Sequence, residues 1–151
     1  MNQLTQLYTY LKRLADADSL VNYVTKSNAM DVNKEIITPV VAINITSGGF
    51  TNGSTVKFSI ELACFSQRDI NKDLIDDEFW GNDNEVDNHN TCIAILNRMW
   101  NTMYIDFESN NITSSENPNF ELGSFEGLKL LDGARLTFEV EMPNIDISLC
   151  Q

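Results

Sequence analysis

Two stretches of the chain alternate strictly between apolar and polar residues. From Thr55 to Phe65, Val56, Phe58, Ile60, Leu62 and Cys64 share one side, and Lys57, Ser59 and Glu61 take the other. From Ala134 to Met142, Leu136, Phe138, Val140 and Met142 oppose Arg135, Thr137, Glu139 and Glu141. Successive side chains of a strand point to opposite faces, so each stretch predicts a strand with one buried face and one wet or interfacial face. Leu4, Leu7, Tyr8, Leu11 and Leu14 recur instead at helical spacing and predict an amphipathic first helix. Lys12 and Arg13 near its end suit the exposed carbonyls there. A second helix is predicted over Asp87 to Met103, with Cys92, Leu96, Met99 and Met103 as its stripe and Ile93, Ile95 and Trp100 widening it. Asp87, Asn88 and Asn90 are all competent to cap its start. Its broad apolar arc predicts burial on more than one side.

The segments between these elements carry weaker patterns. Leu20, Val21, Tyr23 and Val24 form an apolar patch that suits a helical turn or an extended link, and the polar stretch from Thr25 to Glu35 reads as a loop. Pro39 breaks any helix and leads a strand over Val40 to Thr46, with Val41, Ile43 and Ile45 on one face. Ser47 to Ser54 holds three of the seven glycines and an Asn-Gly pair, which predicts a long hairpin connection with Phe50 at its tip. Such a phenylalanine folds back onto its own sheet or anchors a partner. Ser66 to His89 is the least patterned segment, with Asp76, Asp77, Glu78, Asp83, Glu85 and Asp87 around Phe79 and Trp80. Asn110 to Asn119 reads as a polar loop, and Phe120 to Leu131 as a strand region interrupted by Gly123 and Gly127. Asp132-Gly133 carries the dipeptide of a tight hairpin leading into the last strand, which Pro143 ends. Ile145, Ile147 and Leu149 alternate once more.

Together these elements define a single α+β domain over residues 1–151, a mainly antiparallel twisted sheet with helices packed on one face. A chain of 151 residues buries roughly two thirds of its unfolded surface on folding. Its 42% apolar and 21% charged residues are ordinary for a globular protein. Charge changes the picture more. Asp and Glu number 22 against 10 Lys and Arg, a formal net charge of -12, and such a surface repels phosphate backbones. Cys64, Cys92 and Cys150 are odd in number, widely spaced and outside any CxxC pair, so neither a disulfide framework nor a zinc site is expected. Cys64 and Cys92 fall on apolar faces and read as small core residues, while Cys150 has no assignable role. The opening MNQLTQLYTYLKRL lacks a basic region followed by an apolar core, and no stretch approaches 18 apolar residues. A soluble chain of a reducing compartment is expected, with no membrane partner.

Catalytic chemistry finds no foothold in the residues. His89 is the single histidine, stands without a nucleophile-elbow sequence, and reads as an exposed polar residue at a helix start. Gly48, Gly49 and Gly53 match neither phosphate-cradling spacing. The acidic run from Asp76 to Asp87 lacks the alternating ligands, central glycine and closing Glu of a calcium loop. No enzyme activity, cofactor or metal is expected. The acidic loop reads as solvated or partner-facing, and Phe79 and Trp80 are its candidate protein anchors. Lys57, Glu61, Arg135 and Glu139 are further candidate interface residues, because both charge signs occur on the wet strand faces.

The LTQLYTYLKRL helix, the TPVVAINI and STVKFSIELACF strands, the NTCIAILNRMW helix and the closing LDGARLTFEV strand follow in an order that resembles the tail-completion and tail-terminator proteins of tailed bacteriophages. The likeness covers about residues 1–142 and leaves 143–151 as a C-terminal extension. It implies a structural virion subunit, assembled in the host cytoplasm, that forms a homo-oligomeric ring at the head–tail junction or tail-tube end. Such a ring adjoins other phage neck, portal or tail proteins, and DNA passes its channel without specific binding. A negative lumen suits that passage, because attraction to phosphate would trap the duplex. The alternative is a non-viral α+β module that binds a protein or small ligand.

Overall fold

The structure, a computed structural model, describes residues 3–26, 37–51, 54–68, 84–126 and 130–143. In chain order the elements are α1 (Gln3–Ala17), β1 (Tyr23–Thr25), β2 (Val40–Thr51), β3 (Thr55–Gln67), α2 (Glu85–Ser109), β4 (Thr113–Ser114), β5 (Asn119–Glu126) and β6 (Leu130–Pro143). The strands form one mixed six-stranded sheet in the order β1-β2-β3-β6, with β4 and β5 sharing the far edge of β6. Among the described residues only β1 against β2 is parallel; the remaining pairs are antiparallel. The α+β class and the mainly antiparallel sheet are as the sequence predicts.

Both helices pack on one face of this sheet. The apolar sides of the two alternating strands meet there, with Ile60, Leu62 and Cys64 beside Leu136, Phe138 and Val140, under Leu7, Tyr10 and Leu11 of α1 and Cys92, Ile95, Met99 and Met103 of α2. Trp100 stands edge-on to Phe138, ring centroids 5.1 Å apart, a favoured aromatic arrangement. The stripe of α1 is rotated from the predicted one. Tyr10 is fully buried and Leu4 is exposed, because the Tyr10 ring packs on Phe107 of α2 and its hydroxyl donates to Asp106. A buried tyrosine needs a partner for its polar end, and a second helix supplies one that the spacing within α1 could not reveal.

The opposite face is divided. Near one end, Val40, Ala42, Ala63, Phe65 and Leu131 form a second, smaller buried cluster. There Val40–Ile43 and Leu62–Phe65 are buried on both sides, which accounts for apolar runs without alternation. Toward the other end the same face turns polar and exposed.

Several boundaries differ from expectation. The patch at Leu20–Val24 contains a strand, β1, held by the parallel register Tyr23–Val40 to Thr25–Ala42. Most of the expected loop from Thr25 to Glu35 lies outside the described residues. Ser47–Thr51 continues β2 past a bulge between Ile45 and Ser47, so the chain reverses only between Thr51 and Thr55. Phe50 therefore sits on a strand and is 79% exposed. α2 begins at Glu85 after Asn84 and runs on to Ser109, longer at both ends than its apolar stripe. Glu85 and Asp87 in its first turn face the positive end of the helix dipole. It stops where Asn111 adopts a left-handed conformation (φ 58°), which asparagine tolerates, and Ile112 N–H bonds back to the Phe107 carbonyl at 2.8 Å. The polar segment after it includes the two-residue β4. Asp132-Gly133 is not a turn: both residues lie inside β6, opposite Ser66 and Phe65 of β3 and Ser124 and Gly123 of β5. The chain reverses instead between Glu126 and Leu130. β6 is described as far as Pro143, and the Ile145–Leu149 alternation lies outside the described residues.

Candidate functional site

The polar face of β3 and β6 is built by the period-two alternation that buries their other side. Register sets Lys57 opposite Glu141, Ser59 opposite Glu139, and Glu61 opposite Thr137. The ion pairs run diagonally across these rungs. Lys57 Nζ lies 3.0 Å from Glu139 Oε2, and Arg135 Nε lies 3.1 Å from Glu61 Oε1. Thr55 Oγ1 donates to Glu141 Oε1 at 2.7 Å. Glu139 holds the Lys57 ammonium above its usual pKa by hydrogen bonding and charge attraction. The four charged residues singled out from the sequence, Lys57, Glu61, Arg135 and Glu139, are thus brought together, and they pair within one chain. Glu121 on β5 lies opposite Arg135 and extends this face. Glu61, Glu121, Glu139 and Glu141 outnumber Lys57 and Arg135, so the surface is net negative and its geometry is set before any partner arrives.

A buried polar cluster at the other end of the two strands escapes sequence reading. Asp132 is fully buried. Its carboxylate accepts from Arg68 Nε at 3.0 Å and Nη2 at 2.5 Å, from Ser124 Oγ at 2.7 Å, and from Asn88 Nδ2 at 3.0 Å. Burial alone would raise the Asp132 pKa; the bonds from Arg68, Ser124 and Asn88 outweigh it and hold the pKa below the ordinary value. Arg68 Nη2 also lies 3.2 Å from Glu85 Oε2 in the first turn of α2. His89, expected to be exposed, is half-buried, with Nε2 3.1 Å from the Gly123 carbonyl oxygen.

Ligand-type atoms of Glu85, His89 and Asp132 lie within 4.8 Å of one another, a spacing compatible with a cation. The chemistry of the donors argues for a structural role instead. Arg68 already supplies the positive charge between the two carboxylates, and Asp132 accepts four hydrogen bonds. A carbonyl partner makes His89 Nε2 a donor, which occupies that nitrogen and leaves the ring's lone pair on Nδ1. The cluster ties β3, β5, β6 and α2 together.

Cys64 and Cys92 are fully buried in the main core. The hydrogen-bonding contact with Cys92, reinforced by burial, pushes the Cys64 thiol well above its ordinary pKa, which makes it a poor nucleophile. Phe79 and Trp80 lie outside the described residues, as do Cys150 and most of the acidic loop from Ser66 to His89. Of that expected loop, Ser66 and Gln67 belong to β3 and Glu85–His89 to α2.

No protein-family model matches the chain, and no characterised protein matches it in sequence. Among the described residues, no helix is long and apolar enough to cross a membrane.

Proposed function

We propose that this chain is a structural subunit of a bacteriophage ring at the head–tail junction or tail-tube end, through which DNA passes. One observation carries the reading: a pre-paired, net-negative sheet face that the helices leave uncovered, with Glu61, Glu139 and Glu141 each held by a neighbour in the same chain. Turned toward a channel, such a face would repel the duplex without rearranging, so DNA would slide rather than bind. The role is non-enzymatic, in a virion assembled in the host cytoplasm, beside other neck, portal or tail proteins. Mass measurement in solution with negative-stain imaging tests the proposal. A closed ring with a central opening is the expected result. A monomer at all accessible concentrations would overturn it and favour the binding-module alternative. Tight, steeply salt-dependent binding to duplex DNA would overturn the passive-conduit role.

A further inference from the structure

The two ends of the sheet differ in charge and in what they expose. β5 closes one end, and its outer edge pairs with no strand among the described residues. Phe120 and Leu122 stand there about half exposed, at 49% and 51%. A groove of about 450 Å³ runs between Phe120 and α2, lined by Ile93, Trp100, Pro118 and Leu136 and bordered by Glu116. Exposed Tyr104 and Ile105 prolong the apolar surface along α2. Among the described residues no cation lines either part. At the opposite end, α1, β1 and β2 frame another groove of about 450 Å³, with Leu4, Tyr8, Val24 and Ile43 as its apolar lining. Its charged residues are Lys12 and Lys26, and among the described residues no carboxylate lines it.

Lys26 is set apart from most cations among the described residues. Lys12, Lys57, Arg68, Arg98 and Arg135 are each bound to a carboxylate of the same chain, Lys12 to Asp16 at 2.7 Å. The Lys26 ammonium lies 4.4 Å over the Tyr8 ring and makes no ion pair among the described residues. Copies carrying a net charge of -12 repel one another at long range, so a contact between them needs local opposite charge beside apolar surface. The two ends offer that combination.

We propose that the acidic β5 end of one copy docks on the basic α1–β1 groove of the next. Phe120 and Leu122 supply the apolar ridge, and Glu116 meets Lys26, the groove cation that Asp16 does not hold. The joined surfaces are unlike, so the contact is head-to-tail and either closes into a ring or propagates. This inference rests on the ring reading and names the surface that would build it. It leaves the acidic sheet face out of the contact.

The test uses single variants of the full chain, each checked for wild-type melting. Lys26→Glu and Phe120→Asp each yield monomers alone. Mixed, they yield a one-to-one dimer, because each carries the intact surface that the other has lost. Glu116→Lys, at an exposed residue, reads the β5 end if Phe120→Asp fails to fold, and combining it with Lys26→Glu in one chain restores assembly. A wild-type ring that persists unchanged in all these variants would overturn the surface and leave the ring reading standing. Variants that stay monomeric on mixing would overturn the head-to-tail pairing. A monomeric wild type would overturn both readings.

Discussion

The two ends of the β3–β6 pair are built from the same alternation yet solve different problems. At the Asp132 end, the sheet is buried on both faces, and an aspartate, an arginine, an asparagine and a serine close a polar network inside it. At the Thr55–Pro143 end, the outer part of β2 is exposed and charged pairs lie on the surface. Glycine shows the difference most directly. A methyl group on Gly133 would press into the Phe65 ring and lie 2.6 Å from the Cys64 carbonyl oxygen, whereas one on Gly49 would meet nothing within 4 Å. Glycine at the buried end makes room for a neighbour. At Gly49 no neighbour demands it, although at Gly48 beside it a methyl group would lie 2.8 Å from the Lys57 carbonyl oxygen.

The sharpest way to break this comparison is to remove the buried carboxylate. Asp132→Ala leaves Arg68 without its principal partner and is expected to cost about 3–5 kcal/mol, the range for breaking a buried ion pair. An unchanged denaturant midpoint would show that the network does not anchor this end. Gly133→Ala should cost about 1–3 kcal/mol through overpacking, while Gly49→Ala should change stability by less than about 0.5 kcal/mol. Equal effects in thermal melts would erase the distinction between the two ends.

Acid should destabilise the fold through the paired aspartates. Asp132 and Asp18 both titrate below their ordinary value; for Asp18 the cause is chiefly the hydrogen bonds from Arg98, at 2.8 and 3.0 Å. A depressed folded pKa means that the stabilisation is fully present above the unfolded value of 3.8 and is lost as pH falls through the lower folded value. Asp18→Asn should therefore flatten the fall of stability below about pH 4 in acid titrations of the unfolding midpoint. An unaltered slope would remove Asp18 from the account. The smallest effect is expected at the tip, where Phe50→Ser should shift stability by less than about 0.5 kcal/mol, because its ring is already mostly in water.

Much of the fold was legible because its alternation is regular. Val56 to Cys64 and Leu136 to Met142 bury the sides that their spacing predicts, and the Cys92–Met103 stripe faces the sheet. Turn chemistry misled in both glycine-bearing segments. Asp132-Gly133 carries the composition of a tight hairpin, yet its aspartate is there for Arg68 and its glycine for Phe65, two residues 64 and 68 positions earlier in the chain. Ser47–Thr51 looks like a loop but is held as strand by its pairing with Thr55–Ser59. The interface candidates were legible as charges but not as partners for one another, because diagonal pairing depends on register. The polar cluster was not legible at all: Arg68, Glu85, Asn88, Ser124 and Asp132 share no motif, and only the assembled sheet and helix bring them together.

The central pairing of the sheet also bears on how quickly the chain reaches its native state. β2 and β3 meet across a short connection, and α2 is wholly local. By contrast, the bonds that join β3 to β6 link residues 64 apart at Arg68–Asp132 and 86 apart at Thr55–Glu141. Closing so large a loop expends chain entropy before any contact between these strands rewards it. The β2–β3 hairpin is therefore expected to form early, with one long edge of β3 waiting for β6. During that interval an apolar, unpaired strand edge is open to other chains, and the yield of refolding should fall as protein concentration rises.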